Sequence, residues 1–263
     1  MNPTFVSKKN EEEEKLSPYW AGRRKQEERD ARIAWYVDTE RVLTVELLVG
    51  LLDMPPTPSS TRIVEARLQR LVQLKYVRQI RKGYTTYYVS PFVIKKGDPQ
   101  LEHKLQETYA WIAFQRSLPV EHRLQSNVLA KLGGQVKPDG AFVTKRHGFC
   151  LEIDTGLKPL GQLEEKAHKY LKHADQLQDT LPGWLGNVDS LQVLFITKLP
   201  GRVPHIVDKL KGIGSGGMFL VTSQDQFKPF DGSILTPSWR SPRDNELHTL
   251  LEEFSTGHFC KSL

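Results

Sequence analysis

The sequence predicts an α+β / α/β chain in two parts: helices closed by a β-hairpin, then strands and helices alternating on a mixed sheet. Three observations predict it. Apolar residues recur near a 3.6 period up to residue 74. Two β-rich segments flank a glycine-containing turn at 81–83. From residue 136 onward, strand-like and helix-like segments alternate, as in an α/β layer.

The balance of residues sets outer limits. The 263 residues are 38% apolar and 26% charged, which excludes a collagen, a mucin or a wholly disordered tail. No apolar run approaches the roughly eighteen residues of a membrane helix. Residues 1–17 include four consecutive glutamates and no apolar core of a secretory signal. The two cysteines, Cys150 and Cys260, are too few for a disulfide framework. These features together predict a cytoplasmic protein with no membrane partner.

Taken in order, residues 1–24 read as a polar arm. Residues 26–37 have helical spacing, with Ile33, Ala34 and Tyr36 as apolar candidates. Thr44 is placed to cap a short apolar helix over 45–52, which the prolines at 55, 56 and 58 end. Ser59, Ser60 or Thr61 then caps a third helix, whose apolar positions are Val64, Leu68, Leu71, Val72 and Leu74. Residues 76–80 and 84–89 read as two strands about a turn at Arg81, Lys82 and Gly83, and Pro91 closes the segment. Three helices and a hairpin are the order of a winged helix-turn-helix, assigned to residues 25–96.

Charge is concentrated in this segment. The chain carries 37 basic and 31 acidic residues, a formal +6. Residues 60–96 hold nine basic residues and one acid, Glu65, so this stretch is +8 and the rest of the chain −2. A surface that neutralises phosphates needs such segregation. The reading takes double-stranded DNA as partner. Arg62, Gln69, Arg70 and Gln73 on the third helix reach base edges and phosphates, and Arg81 and Lys82 sit at the hairpin tip. A solvated basic face, or a winged helix used for protein contact, is the alternative.

Residues 97–263 form the second part. Helices are predicted over 101–118, 160–181 and 204–211, and strands over 136–144, 148–154, 191–197 and 218–222. Gly133 and Gly134 punctuate the chain before the first strand. Gly212, Gly214, Gly216 and Gly217 read as a turn, because no phosphate-loop pattern surrounds them. Trp239 reads as a packing anchor.

The chemistry-bearing residues lie on the first two of these strands. If they form a hairpin centred between Arg146 and His147, Asp139 faces Asp154 and Ala141 faces Glu152. Glu152 and Asp154 then share one face. Asp139 joins Asp154 with Cβ atoms roughly 5 Å apart, and Glu152 is a diagonal neighbour at roughly 7–8 Å. Phe142, Phe149, Leu151 and Ile153 collect on the opposite, core-facing side. Three carboxylates on one face repel unless a cation lies between them, and a hard divalent ion such as Mg²⁺ (or Mn²⁺) takes oxygen ligands. Gln162, Lys166 and Tyr170 follow on one helix face. Lys166 is placed to offer an ammonium to water or a scissile phosphate.

Pro138-Asp139, a short hairpin and Glu152-Ile153-Asp154 resemble the core of PD-(D/E)xK nucleases. The whole chain resembles the replication-relaxation family of bacterial plasmids and other mobile elements. That family pairs an N-terminal winged helix with such a domain. Its C-terminal pattern is similar to Pro138-Asp139, then Leu151-Glu152-Ile153-Asp154-Thr155-Gly156, then Leu163, Lys166 and Tyr170. The residue-level match is confined to 138–170. The resemblance implies a DNA-binding protein with a restriction-endonuclease-like domain that binds Mg²⁺ and cleaves or nicks DNA. Asp139 and Glu152 are then metal ligands, Asp154 an auxiliary ligand or water-orienting base, and Lys166 the electrophilic helper. One departure is plain: the lysine expected two residues after the acidic residue is Asp154 here. Lys166 replaces it if it reaches the site from the helix; Lys158, followed by Pro159, is a weaker substitute. The alternative is a non-enzymatic replication accessory or transcriptional regulator, with a degenerate nuclease fold kept for docking or dimerisation. Other proteins of the same element and a second copy of the chain are its candidate partners.

Overall fold

The computed structural model describes residues 18–92, 100–118, 122–125, 136–144, 147–173, 190–213, 218–236 and 238–250. The expectations for residues 1–17 of the arm, the glycines at 133–134 and 214–217, the hairpin loop at 145–146, the helix beyond 173 and Cys260 lie outside these residues; residues 18–24 of the expected arm are instead the start of the first helix. The chain divides into two compact units, residues 1–98 and 99–263. No described helix is long and apolar enough to cross a membrane.

In the first unit, α1 (Pro18–Glu40) leads through β1 (Val42–Leu43) to α2 (Val45–Leu51) and α3 (Pro58–Gln73), followed by β2 (Arg78–Lys82) and β3 (Thr85–Val89). Thr44 caps α2, its hydroxyl accepting from the Leu47 N–H at 3.5 Å. The cap of α3 is Thr57 rather than a residue at 59–61: its hydroxyl accepts from the Ser60 N–H at 3.2 Å. Pro58 therefore begins α3, because the first helical turn has no internal acceptor for an N–H and proline supplies the right φ. Val64, Leu68 and Leu71 are buried, while Leu74 is half exposed beyond the last turn. Lys75 takes a left-handed φ of 63° there, and the Tyr76 N–H returns to the Leu71 carbonyl, closing the helix. β3 lies between β1 and β2 in an antiparallel sheet. β1 has no counterpart in the sequence expectation, since two residues are too short for an alternating pattern. Ile33, Val37, Leu43, Leu48, Val64, Leu68 and Val89 are among its fully buried apolar residues.

The second unit is a mixed seven-stranded sheet in the order β10-β9-β8-β7-β6-β5-β4. Its elements are α4 (Leu101–Ser117), β4 (His122–Gln125), β5 (Gly140–Thr144), β6 (His147–Asp154), α5 (Leu160–Lys172), β7 (Ser190–Thr197), α6 (Val203–Leu210), β8 (Phe219–Ser223), β9 (Trp239–Arg240) and β10 (Leu247–His248). β6, β7 and β8 are parallel, and the other pairs are antiparallel. Period-two alternation assigns the two faces of the sheet. One face sets Ala141, Val143, Cys150, Val193 and Phe195 against Leu163, Ala167 and Tyr170 of α5 and Val203, Ile206 and Val207 of α6. The other sets Phe142, Phe149, Leu151, Ile153, Leu194 and Ile196 against Ala110, Trp111 and Phe114 of α4. Trp239 is fully buried in this second layer, with its indole N–H donating to the Ile234 carbonyl at 3.0 Å. Both faces are covered, so β7 is buried along its whole length, with an unbroken apolar run from Val193 to Ile196.

Candidate functional site

The β5–β6 hairpin decides which carboxylates meet. Gly140 pairs with Leu151, Ala141 with Cys150 and Thr144 with His147. This register is shifted by two residues from the one the sequence suggested. A hairpin closed between Thr144 and His147 leaves two residues in its loop, the commonest hairpin length. A two-residue shift preserves the faces, so the apolar and acidic sides stand as expected. It changes the neighbours. The Asp139 N–H donates to the Leu151 carbonyl at 2.9 Å, and Asp139 Oδ2 accepts from the Ile153 N–H at 2.8 Å. Asp139 thus brackets Glu152 and does not face Asp154.

Glu152 is buried, only 3% exposed. Lys166 donates its ammonium to Glu152 Oε2, and the Tyr170 hydroxyl donates to Oε1 at 2.5 Å. Both partners come from α5, one turn apart, because residues four apart lie on the same helix face. Gln162, one turn earlier, is exposed and takes no part. On the other side, Asp139 Oδ1 lies 3.1 Å from His103 Nε2 of α4. His103 carried no signal in the sequence, since only tertiary folding brings it to Asp139.

Electrostatics separate the two acids. Burial pushes the Asp139 carboxyl up, but the His103 hydrogen bond, the Lys166 and His103 charges and the Ile153 N–H outweigh it and hold it below its ordinary value. Burial pushes Glu152 up to about 8, the Asp139 charge adds to this, and Lys166 and Tyr170 oppose it only in part. Burial alone depresses the Lys166 ammonium, but Glu152 and Asp139 together hold it above its usual range. Asp139 is thus held by His103 and Lys166 together, while Glu152 relies on Lys166 and the Tyr170 hydroxyl.

Asp154 stands apart from this cluster. It is 1% exposed and accepts from Arg202 Nε at 2.7 Å, the Thr197 hydroxyl at 3.0 Å and the Gly156 N–H at 3.0 Å. Arg202 also donates to the Lys158 carbonyl at 2.8 Å. Asp154 is a brace joining the end of β6 to the start of α6. All four carboxylate oxygens of Asp139 and Glu152 are engaged within the protein, by His103, the Ile153 N–H, Lys166 and the Tyr170 hydroxyl, so an ion held there would have to displace some of these partners. Among the described residues, no three His, Cys, Asp or Glu side chains are grouped to hold a metal ion.

In the first unit, all six residues singled out for DNA contact are exposed: Arg62, Gln69, Arg70, Gln73, Arg81 and Lys82. They do not form one cluster. Arg62 and Gln69 line a polar groove of about 730 Å³ between α3, the β2–β3 hairpin and the N-terminus of α2, together with Glu65. Arg70 turns to Asp30 of α1, at 3.6 Å, and Arg67 lies 3.8 Å from the same carboxyl. Arg81 and Lys82 pair with Thr86 and Thr85, so they flank the turn and do not form its tip. The tip is Gly83-Tyr84: Gly83 has a φ of 60°, and the Tyr84 ring is fully exposed. Compared with known proteins, the sequence matches no family model and no curated protein.

Proposed function

We propose that the chain is a DNA-binding protein of a bacterial mobile element. Residues 25–96 act as a winged helix-turn-helix that grips duplex DNA. The second unit is a PD-(D/E)xK-like domain that binds Mg²⁺ and cuts a phosphodiester. The observation that carries the reading is the meeting of Asp139, Glu152 and Lys166 at the end of one hairpin. Asp139 and Glu152 would hold the ion, which when bound supplies Lewis-acid stabilisation of phosphate charge. Lys166 holds an ammonium beside both acids, where it orients water or a phosphate oxygen. His103 and Tyr170 fix the carboxylates from opposite sides of the sheet.

The test is nicking of supercoiled plasmid in Mg²⁺ or Mn²⁺. Wild type is expected to nick, and Asp139→Ala and Glu152→Gln to lose the activity. Equal nicking by wild type and Asp139→Ala overturns the enzymatic reading. A second reading, a non-enzymatic regulator or replication accessory, is favoured by Asp154. The family pattern has a lysine there, and this chain has an acid braced by Arg202. Retained duplex binding with no nicking at either metal identifies that case.

A further inference from the structure

The loop that follows β6 presents an apolar side chain to solvent beside the acidic cluster: Leu157 is 87% exposed. A single exposed leucine is ordinary on a protein surface. Its surroundings set this one apart. The backbone is fixed on both sides of it. The Gly156 N–H donates to Asp154 Oδ1 at 3.0 Å, and Arg202 Nη2 donates to the Lys158 carbonyl at 2.8 Å. Arg202 is in turn ion-paired to the buried Asp154. Gly156, with a φ of 84°, lies against the side chain of Leu199, which is itself 45% exposed. A loose loop can fold a leucine back onto the protein; this braced one holds it outward.

The charge around the loop has one sign. Residues 155–162 and 198–202 contain Lys158, Lys198 and Arg202 and no acid. Lys198 and Arg202 are paired with Glu102 and Asp154, whereas Lys158 is exposed and makes no ion pair among the described residues. The loop also borders the cluster. The charge of Lys158 acts on His103, whose imidazole meets Asp139. Proteins that unstack DNA insert leucine or a similar apolar side chain between base pairs, and lysine or arginine beside it holds the phosphates. We propose that Leu157 is a wedge that enters the base stack of the duplex held for cutting, while Lys158 grips a neighbouring phosphate. The preferred substrate is then DNA with a weakened base step, such as a mismatch. This inference rests on the reading of the second unit as a domain that acts on DNA.

The experiment compares binding of the full chain to a fully paired duplex and to the same duplex with one mismatch, marked by 2-aminopurine, without divalent metal so that no strand is cut. Wild type is expected to bind the mismatched duplex roughly ten-fold more tightly, because part of the unstacking cost is already met, and 2-aminopurine emission should rise as its base leaves the stack. Leu157→Ala should bind the two duplexes alike, with no rise in emission. Leu157→Met should keep both effects, since methionine also serves as a wedge. Lys158→Gln should weaken both duplexes equally and lower the salt slope by about 0.9. Leu157 is exposed, and an unchanged circular dichroism spectrum checks that its variants fold. If wild type binds both duplexes alike, or Leu157→Ala keeps the preference, the inference fails while duplex binding stands. If wild type retains no duplex at all, the DNA-binding reading falls and the inference falls with it.

Discussion

Lys166 shows how one side chain holds a site together. Its ammonium meets Glu152 in a nearly closed environment, and its charge acts on Asp139 as well. Replacing one member of a buried pair commonly costs about 3–5 kcal/mol. Here Glu152 can take up a proton in place of an unpaired charge, so Lys166→Met should cost nearer about 2 kcal/mol. Adding Glu152→Gln should regain most of it; urea unfolding of both variants measures this. If the double variant is no more stable than Lys166→Met, the buried pair is not the source of the loss. Gly156 shows a backbone constraint next to the same site. Its φ is 84°, and a Cβ there would lie 2.4 Å from Leu199 Cδ1. Gly156→Ala should cost about 1–2 kcal/mol from the left-handed conformation. Leu199→Ala in the same chain relieves the clash but not that term, so thermal unfolding should show partial recovery only. The sequence placed Asp139, Glu152 and Asp154 on one sheet face and Lys166 and Tyr170 on one helix face, but it paired Asp139 with Asp154 and did not show that Lys166 and Tyr170 meet Glu152. It did not reveal His103 or Arg202, because each meets its carboxylate across 36 or 48 residues with no local periodicity to mark it.

At the scale of elements, α3 is set by its two ends. Thr57 supplies the N-cap, Pro58 the first helical residue, and Lys75 the left-handed exit. Thr57→Ala should destabilise the first unit by about 1 kcal/mol, and Thr57→Ser by much less, since serine keeps the accepting hydroxyl. Amide exchange at Ser60 read alongside unfolding separates a lost cap from a general effect. The β5–β6 hairpin is the element where sequence reasoning came closest and still missed. Alternation fixed which residues face the core, because parity survives a two-residue shift. The loop length fixed the partners, and the difference of two residues moved Asp139 from Asp154 to Glu152. The strands β4, β9 and β10 were not foreseen: they are only four, two and two residues long, too short to carry a pattern.

At the scale of the whole molecule, charge segregation makes a prediction independent of any cleavage. The log of duplex affinity should fall linearly with log salt concentration, by about 0.9 for each phosphate neutralised. Arg81→Gln with Lys82→Gln should reduce that slope by roughly 2 if each side chain meets a phosphate. An unchanged slope in fluorescence anisotropy would show that the strand ends beside the hairpin turn do not touch the backbone. Composition, periodicity and proline placement determined the broad plan by themselves: three helices and a hairpin, then a mixed sheet with one acidic strand end. Those properties are local, and each is written in neighbouring residues. Tertiary structure decided the rest. It closed the hairpin loop, gave Glu152 to Lys166 and Tyr170, and committed Asp154 to Arg202 as a brace. The physical reason is that buried charges take whichever partners the packed helices and strands bring within hydrogen-bonding reach, and that pairing spans dozens of residues with no trace in local spacing.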